Sequence, residues 1–126
     1  MATAVSPGPI LLVEDDADAR LMMAKLLSVV GYEVVAAASG EEALKLVEER
    51  AFALVIIDYM MPRMNGLELF NRLRELRPAI KGIFLTGYLT PSSTSAALDA
   101  GAKRVLAKPV SVDELLGVID EVGVRG

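Results

Sequence analysis

The chain predicts an α/β domain whose parallel sheet is covered on both faces, and three observations predict it. Five short apolar runs alternate with five segments of helical spacing. That order demands right-handed crossovers between parallel strands. Hydrophobic residues make up 53% of the 126 residues and mean hydropathy is +0.45, as apolar as a sheet buried on both sides requires. No repeat, internal linker or low-complexity segment interrupts the alternation, and the length suits one domain with a real core.

The elements follow in order. Residues 1–9, small residues with Ser, Gly and Pro, read as a disordered leader. Ile10–Val13 is a short strand of the buried type. Asp16–Val30 carries apolar positions at Ala19, Met22, Met23, Leu26, Leu27 and Val30, which is helical spacing, and Gly31 ends the helix. Glu33–Ala37 is the second strand. Ser39-Gly40-Glu41-Glu42 has the form of a capping box and opens a helix to Arg50. The charges of residues 41–50 form its solvated face. Ala53–Ile57 is the third strand, and Leu67–Leu76 is a helix stopped by Pro78. Ile80–Leu85 is the fourth strand. Thr90-Pro91 is a cap followed by proline at the first helical position, opening a helix to Ala100 that Gly101 ends. Arg104–Ala107 is the fifth strand, and Ser111-Val112-Asp113-Glu114 is a second capping box that starts a helix to Val122. The domain therefore spans residues 10–122, with 123–126 a short tail.

Composition excludes several functions. A net charge of −4 and a pI of 4.8 argue against a nucleic-acid surface, which needs clustered Lys and Arg. The chain has no cysteine, so disulfides, thiolate metal sites and Cys nucleophiles are excluded. It has no histidine, so the usual general base and the commonest zinc ligand are missing. No apolar run is long enough to span a bilayer, and the leader lacks the basic and apolar segments of a signal peptide. These features agree with a cytoplasmic protein that contacts neither membrane nor nucleic acid.

Chemistry then rests on carboxylates, hydroxyls, amines and a hard metal ion. In parallel sheets, ligands bind outside the carboxyl ends of the strands. The first strand runs into Glu14-Asp15-Asp16, the third into Asp58, the fourth into Thr86 and the fifth into Ala107-Lys108-Pro109. The second ends in Ala36-Ala37-Ala38, with no functional group. Asp58 is the most telling of these, because it closes an apolar run, Leu54-Val55-Ile56-Ile57, before the turn Pro62-Arg63-Met64-Asn65-Gly66. Desolvating an isolated carboxylate costs several kcal/mol unless a cation offsets it. If the first and third strands are neighbours, Glu14, Asp15 and Asp58 converge, and such a group needs a counter-charge. An all-oxygen donor set points to Mg²⁺, with Mn²⁺ as a substitute. A carboxylate oxygen beside such a cation is a nucleophile for phosphoryl transfer. Lys108 offers a point charge and Thr86 a hydroxyl donor to the phosphoryl oxygens. No obvious base is positioned to activate water, so a phosphorylated form is expected to persist. Asp16 and Asp18 read as the cap and first-turn acids of the first helix, without a metal role. Met22, Met23 and the methionines of residues 60–64 read as packing residues.

Leu12-Val13-Glu14-Asp15-Asp16, then Asp58-Tyr59-Met60-Met61-Pro62-Arg63-Met64-Asn65-Gly66, Leu85-Thr86-Gly87 and Lys108-Pro109 together resemble the receiver domain of two-component response regulators. The resemblance covers residues 10–122. It implies a doubly wound (βα)5 domain with a five-stranded parallel sheet of flavodoxin-like order 2-1-3-4-5. It implies that Asp58 is the phosphoacceptor, served by the phosphohistidine of a sensor kinase or histidine phosphotransfer protein, in a signalling protein rather than an enzyme acting on a separate substrate. Asp15 would hold Mg²⁺ directly and Glu14 through water, with Asp58 and the backbone carbonyl of Met60 completing the protein ligands. Thr86 would be the switch hydroxyl, Lys108 the phosphate-binding lysine, and Lys108-Pro109 a cis peptide. The fourth helix, fifth strand and fifth helix would meet a downstream effector. One position departs from the pattern: many receivers carry Tyr or Phe three residues before the lysine, and here it is Val105. Valine is stiff and cannot swing as a ring does, so output is expected through backbone shifts around Thr86–Thr90 and the fourth helix. Tyr88 is expected to shield the phosphoryl group from water.

Three other functions fit less well. A Mg²⁺-dependent aspartyl-phosphate phosphatase would need a second Asp two residues after the nucleophile, where Met60 stands. A flavodoxin-like cofactor binder would need a phosphate cradle after the first strand, where Glu14-Asp15-Asp16 repel phosphate. A receiver-shaped module that is never phosphorylated would have no need of the site groups, and all are present.

Overall fold

The five apolar runs form strands β1 (Ile10–Val13), β2 (Val34–Ala37), β3 (Leu54–Asp58), β4 (Lys81–Thr86) and β5 (Arg104–Ala107). Between and after them lie helices α1 (Ala17–Val29), α2 (Gly40–Glu49), α3 (Gly66–Leu76), α4 (Pro91–Asp99) and α5 (Val112–Val122). The computed structural model describes residues 8–61 and 64–123. All strand pairs are parallel and the sheet order is β2-β1-β3-β4-β5, the flavodoxin-like order expected. The chain winds from β1 outward to β2, then returns past β1 to β3, so the order reverses between β1 and β3. That is the switch point at which parallel sheets open a crevice for ligands.

The helices start and stop where side chains satisfy their free backbone groups. Asp16 caps α1, its carboxylate accepting from the Ala19 N–H at 2.8 Å. At the other end Gly31, at φ +104°, turns the chain. Its N–H donates to the Ser28 carbonyl and that of Tyr32 to Leu27, the paired bonds of a Schellman motif. Asn65, Thr90 and Ser111 cap α3, α4 and α5 in the same way as Ser39 caps α2. The box at α2 differs in one partner. Glu42 accepts from Ala38 N–H at 2.6 Å, one residue before the cap.

The sheet carries a core on each face. Leu11, Val13, Val55, Ile57 and Phe84 pack against Ala43 and Val47 of α2, Leu69, Phe70 and Leu73 of α3, and Ala97 of α4. Ile10, Leu12, Leu54, Ile56, Ile83 and Leu85 pack against Leu27 of α1 and Leu115, Val118 and Ile119 of α5. Each such side chain removed from water contributes about 1.5–3 kcal/mol, so both faces hold the strand ends in register.

The structure departs from the sequence reading at a few points. β3 runs one residue further, because Asp58 pairs with Leu85 in the ladder. β4 starts at Lys81, since the Ile80 N–H is turned to the Arg77 carbonyl. Pro9, assigned to the leader, is tied down by accepting from the Ala53 N–H at 2.9 Å. Residues 1–7 of the leader and 124–126 of the tail lie outside the described residues, as do Pro62 and Arg63. Met61, Met64 and Met23 do pack against the two cores, whereas Met22 and Met60 are largely exposed and fill no gap. Met22 lies on α1 beside an open groove that Val110 and Leu115 also line, and Met60 follows Asp58 into the loop at the sheet's rim.

Candidate functional site

Val13 of β1 is in register with Ile57 of β3, so the next residues, Glu14 just past β1 and Asp58 at the end of β3, stand side by side. Both are buried, at 5% and 7% exposure, and Thr86 at the end of β4 is 1% exposed. Asp15 stands in solvent beside them. One carboxylate oxygen from each of Glu14, Asp15 and Asp58 lies within 4.8 Å of the others. Lys108, carried off β5, donates to Glu14 Oε1 at 2.8 Å and to Asp58 Oδ2 at 3.1 Å. The Lys108 N–H donates to the Thr86 carbonyl at 2.7 Å, and the Lys108-Pro109 peptide is cis as expected. The remaining acceptors have backbone partners. Glu14 Oε2 accepts from the Asp16 N–H and Asp58 Oδ1 from the Met60 N–H, both at 3.2 Å.

The electrostatics explain why Asp58 tolerates burial. Burial works against the Lys108 ammonium, but its hydrogen bonds to Glu14 and Asp58, and their charges, outweigh that. The amine is held above the ordinary lysine value of 10.5. One ammonium faces three carboxylates, so the cluster retains negative charge. The donors are all oxygens, two buried and one open to water, which suits a hard divalent cation.

The six residues expected from the sequence thus sit at one rim, with differences in detail. The Thr86 hydroxyl is engaged within its own turn: Oγ1 accepts from the Tyr88 N–H at 3.1 Å and donates to the Tyr88 carbonyl at 3.3 Å. The Tyr88 ring is 79% exposed and covers nothing in this conformation; the residue contributes its backbone. Val105 is half-buried against the core, beside Phe84 in the β4–β5 pair. Two rings do meet Phe84 edge-on at 5.5 Å, Tyr59, next to Asp58, and Phe70 of α3.

Two residues of the site escape sequence reasoning. Gly66 opens α3, and a Cβ there would lie 2.7 Å from the Asp58 carbonyl oxygen and 2.9 Å from Ile57 Cγ2. Its N–H donates to the Tyr59 carbonyl at 2.9 Å. Asn-Gly at a helix start is the visible signal, but it does not reveal what the glycine approaches. Arg20, on α1, donates from Nη1 to the carbonyls of Glu14 at 2.8 Å and Asp15 at 3.4 Å. Nothing in the sequence separates it from an ordinary helical arginine.

The chain matches the family described as "Response regulator receiver domain" over residues 10–120. It is 38% identical over 117 residues to the response regulator receiver protein CpdR of Brucella abortus (strain 2308), a match covering 90% of this chain and 94% of that protein. The chain spans about half the length, 48%, of other curated relatives that it matches at 40% identity. A solved CheY-like response regulator receiver domain protein from Methanospirillum hungatei JF-1 superposes with a TM-score of 0.87 at 37% identity, covering 92% of this chain and 93% of that one. A response regulator protein from Burkholderia pseudomallei, solved with a phosphorylated aspartic acid, calcium ion and citrate, gives 0.82 at 31% identity over 87% of this chain and 65% of that one. A match across nearly the whole chain, on a sheet of the same order with the acids and lysine at its rim, makes this chain a member of the response regulator receiver domain family.

Proposed function

We propose that the chain is a phosphorylation-switched signalling receiver in which Asp58 accepts a phosphoryl group from a phosphohistidine of a sensor kinase or histidine phosphotransfer protein. The observation that carries this is the Lys108 ammonium bridging Asp58 Oδ2 and Glu14 Oε1 within a cluster of three acids. An oxygen of Asp58 attacks phosphorus, the P–N bond to the donor imidazole breaks, and its electron pair leaves on that nitrogen. Lys108 meets the charge of one phosphoryl oxygen. The Met60 N–H, already directed at Asp58 Oδ1, keeps the nucleophile oriented. Glu14, Asp15, Asp58 and the backbone carbonyl of Met60 are the groups that would hold Mg²⁺, or Mn²⁺ in its place. Bound there, the cation neutralises charge developing on the phosphoryl oxygens.

The Thr86 hydroxyl couples this chemistry to the surface. If it turns to a phosphoryl oxygen, the Tyr88 N–H and carbonyl both lose their partner. The β4–α4 loop must then rearrange without help from Val105. The phosphoryl group is stored, with only slow self-catalysed hydrolysis, because among the described residues no obvious base is positioned to activate water. A cytoplasmic setting agrees with the absence of cysteine, and a downstream effector protein or domain reads the α4–β5–α5 face. The solved relative with a phosphorylated aspartic acid supports the same chemistry here.

Acetyl phosphate or a phosphohistidine donor, with Mg²⁺, is expected to label the protein with an acid-stable, base-labile phosphate at Asp58, read by mass spectrometry. Labelling of Asp58→Asn at the wild-type level, or undiminished labelling in EDTA, would overturn the proposal.

A further inference from the structure

We propose that Arg20 is a positioning residue for the cation site, holding the backbone of Glu14 and Asp15 so that their carboxylates converge with Asp58. The inference rests on the proposed function, since it concerns the cation that function requires. The two acids come from a loop of three residues, 14–16, between the end of β1 at Val13 and the start of α1 at Ala17. Glu14 is secured at every polar group. Its N–H donates to the Ala37 carbonyl at 3.1 Å, and its carboxylate is held by Lys108 and the Asp16 N–H. Its carbonyl accepts from Arg20 Nη1 at 2.8 Å.

Asp15 is held differently. Among the described residues no donor bonds its carboxylate, which is exposed. Its carbonyl takes the same Arg20 nitrogen at 3.4 Å. Arg20 therefore ties the one exposed acid of the cluster to its buried neighbour. The root of the arginine is itself fixed, because its N–H donates to the Asp16 carbonyl at 2.9 Å in the capped first turn of α1. Arg20 bonds carbonyl oxygens rather than carboxylate oxygens. It orders the loop without occupying the lone pairs that a cation uses. Groups outside the ligand shell act on metal affinity in this way, by orienting the ligands.

The sign of its charge makes the role testable. A nearby guanidinium repels a cation, so removing it should tighten metal binding if charge is all that matters. If positioning dominates, removal weakens binding. Free Mn²⁺ counted by electron paramagnetic resonance gives the affinity directly, without phosphorylation, and melting in EDTA reports the fold. Arg20→Gln is expected to weaken Mn²⁺ binding about tenfold under conditions where circular dichroism shows it fully folded. Arg20→Lys, which keeps the charge on a shorter stem with a single donor nitrogen, is expected to fall between Gln and wild type. Should Arg20→Gln not fold, Arg20→Lys decides alone: weaker binding supports the inference and wild-type affinity overturns it. Equal or tighter Mn²⁺ binding by Arg20→Gln overturns the inference and leaves the proposed function standing. Failure of the wild-type protein to bind Mn²⁺ or Mg²⁺ overturns both.

Discussion

Lys108 leaves β5 with its ammonium between Glu14 and Asp58, and two consequences follow from that single charge. Replacing it with methionine leaves two buried carboxylates facing each other. Each charged hydrogen bond removed costs on the order of 1.5–3 kcal/mol when buried, and partial exposure of the lysine reduces that. A net loss of about 2 kcal/mol at neutral pH is the expected result by urea denaturation. The pH dependence has a definite sign. The amine's folded-state value is raised above the ordinary 10.5. The stabilisation is therefore fully present below 10.5 and is lost as pH rises through the higher folded value. The stability gap between wild type and Lys108→Met should stay constant from neutral pH to the ordinary lysine value and close above it. A gap that closes on the acid side of neutrality instead, with the alkaline range flat, would assign the stabilisation to other groups. Gly66 poses a steric question. A methyl group there meets backbone on two sides, Asp58 O at 2.7 Å and Tyr59 Cα at 3.0 Å, and neither can yield as a flexible side chain would. Gly66→Ala is expected to lose about 1–3 kcal/mol and to slow Asp58 labelling, because relief requires α3 to move away from the strand end that carries Asp58, the proposed phosphoacceptor. Unchanged labelling at full stability would show that the loop gives way at no cost.

At the scale of elements, the loops after the strands do the positioning and the helix caps hold the loops. Asn65 Oδ1 accepts from the Glu68 N–H at 2.7 Å and so starts α3 directly after the β3–α3 loop. Asn65→Ala is expected to cost about 1 kcal/mol, seen as a melting temperature lower by a few degrees; no change would mean that packing of Leu69, Phe70 and Leu73 alone fixes the helix start. These signals were legible in the sequence because they are local. Ser39, Thr90 and Ser111 announce helices through their own spacing, and Gly31 ends one through its own backbone. The same holds for Glu14, Asp15, Asp58, Thr86 and Lys108, since each follows an apolar strand and a parallel sheet brings all such ends to one rim. What was not legible depends on which partner a side chain takes and which way it turns. Arg20 reaches back across the β1–α1 loop, the Thr86 hydroxyl closes onto Tyr88, and the Tyr88 ring faces solvent. None of these orientations follows from the hydrophobic period that marks strands and helices. Asp58's membership of the ladder was missed for a related reason. Its pairing with Leu85 belongs to β4, not to the apolar run that precedes it.

On the scale of the whole molecule, two cores clamp a sheet whose far edge holds a surplus of negative charge. α2, α3 and α4 cover one face and α1 and α5 the other. The strand ends therefore cannot spread to relieve repulsion among Glu14, Asp15 and Asp58. Lys108 neutralises part of that charge, and the rest is carried by a rigid frame. A divalent cation that binds the folded rim and not the unfolded chain should then raise global stability by mass action. At a Mg²⁺ concentration ten times the dissociation constant the gain is about 1.4 kcal/mol, or roughly 5 °C in melting temperature for a domain of this size. General screening by salt also eases repulsion, so the comparison is Mg²⁺ against NaCl at equal ionic strength. Asp15→Asn supplies the second control. Because Asp15 is exposed, losing its charge removes a repulsive neighbour without opening the core. The variant should melt at or above the wild-type temperature in EDTA, yet gain little from Mg²⁺. An equal upward shift with NaCl, or a full Mg²⁺ shift in Asp15→Asn, would mean that the rim responds to ionic strength alone. A shift specific to Mg²⁺ and dependent on Asp15 would tie the stability of the entire fold to the same oxygens that prepare Asp58 for phosphate.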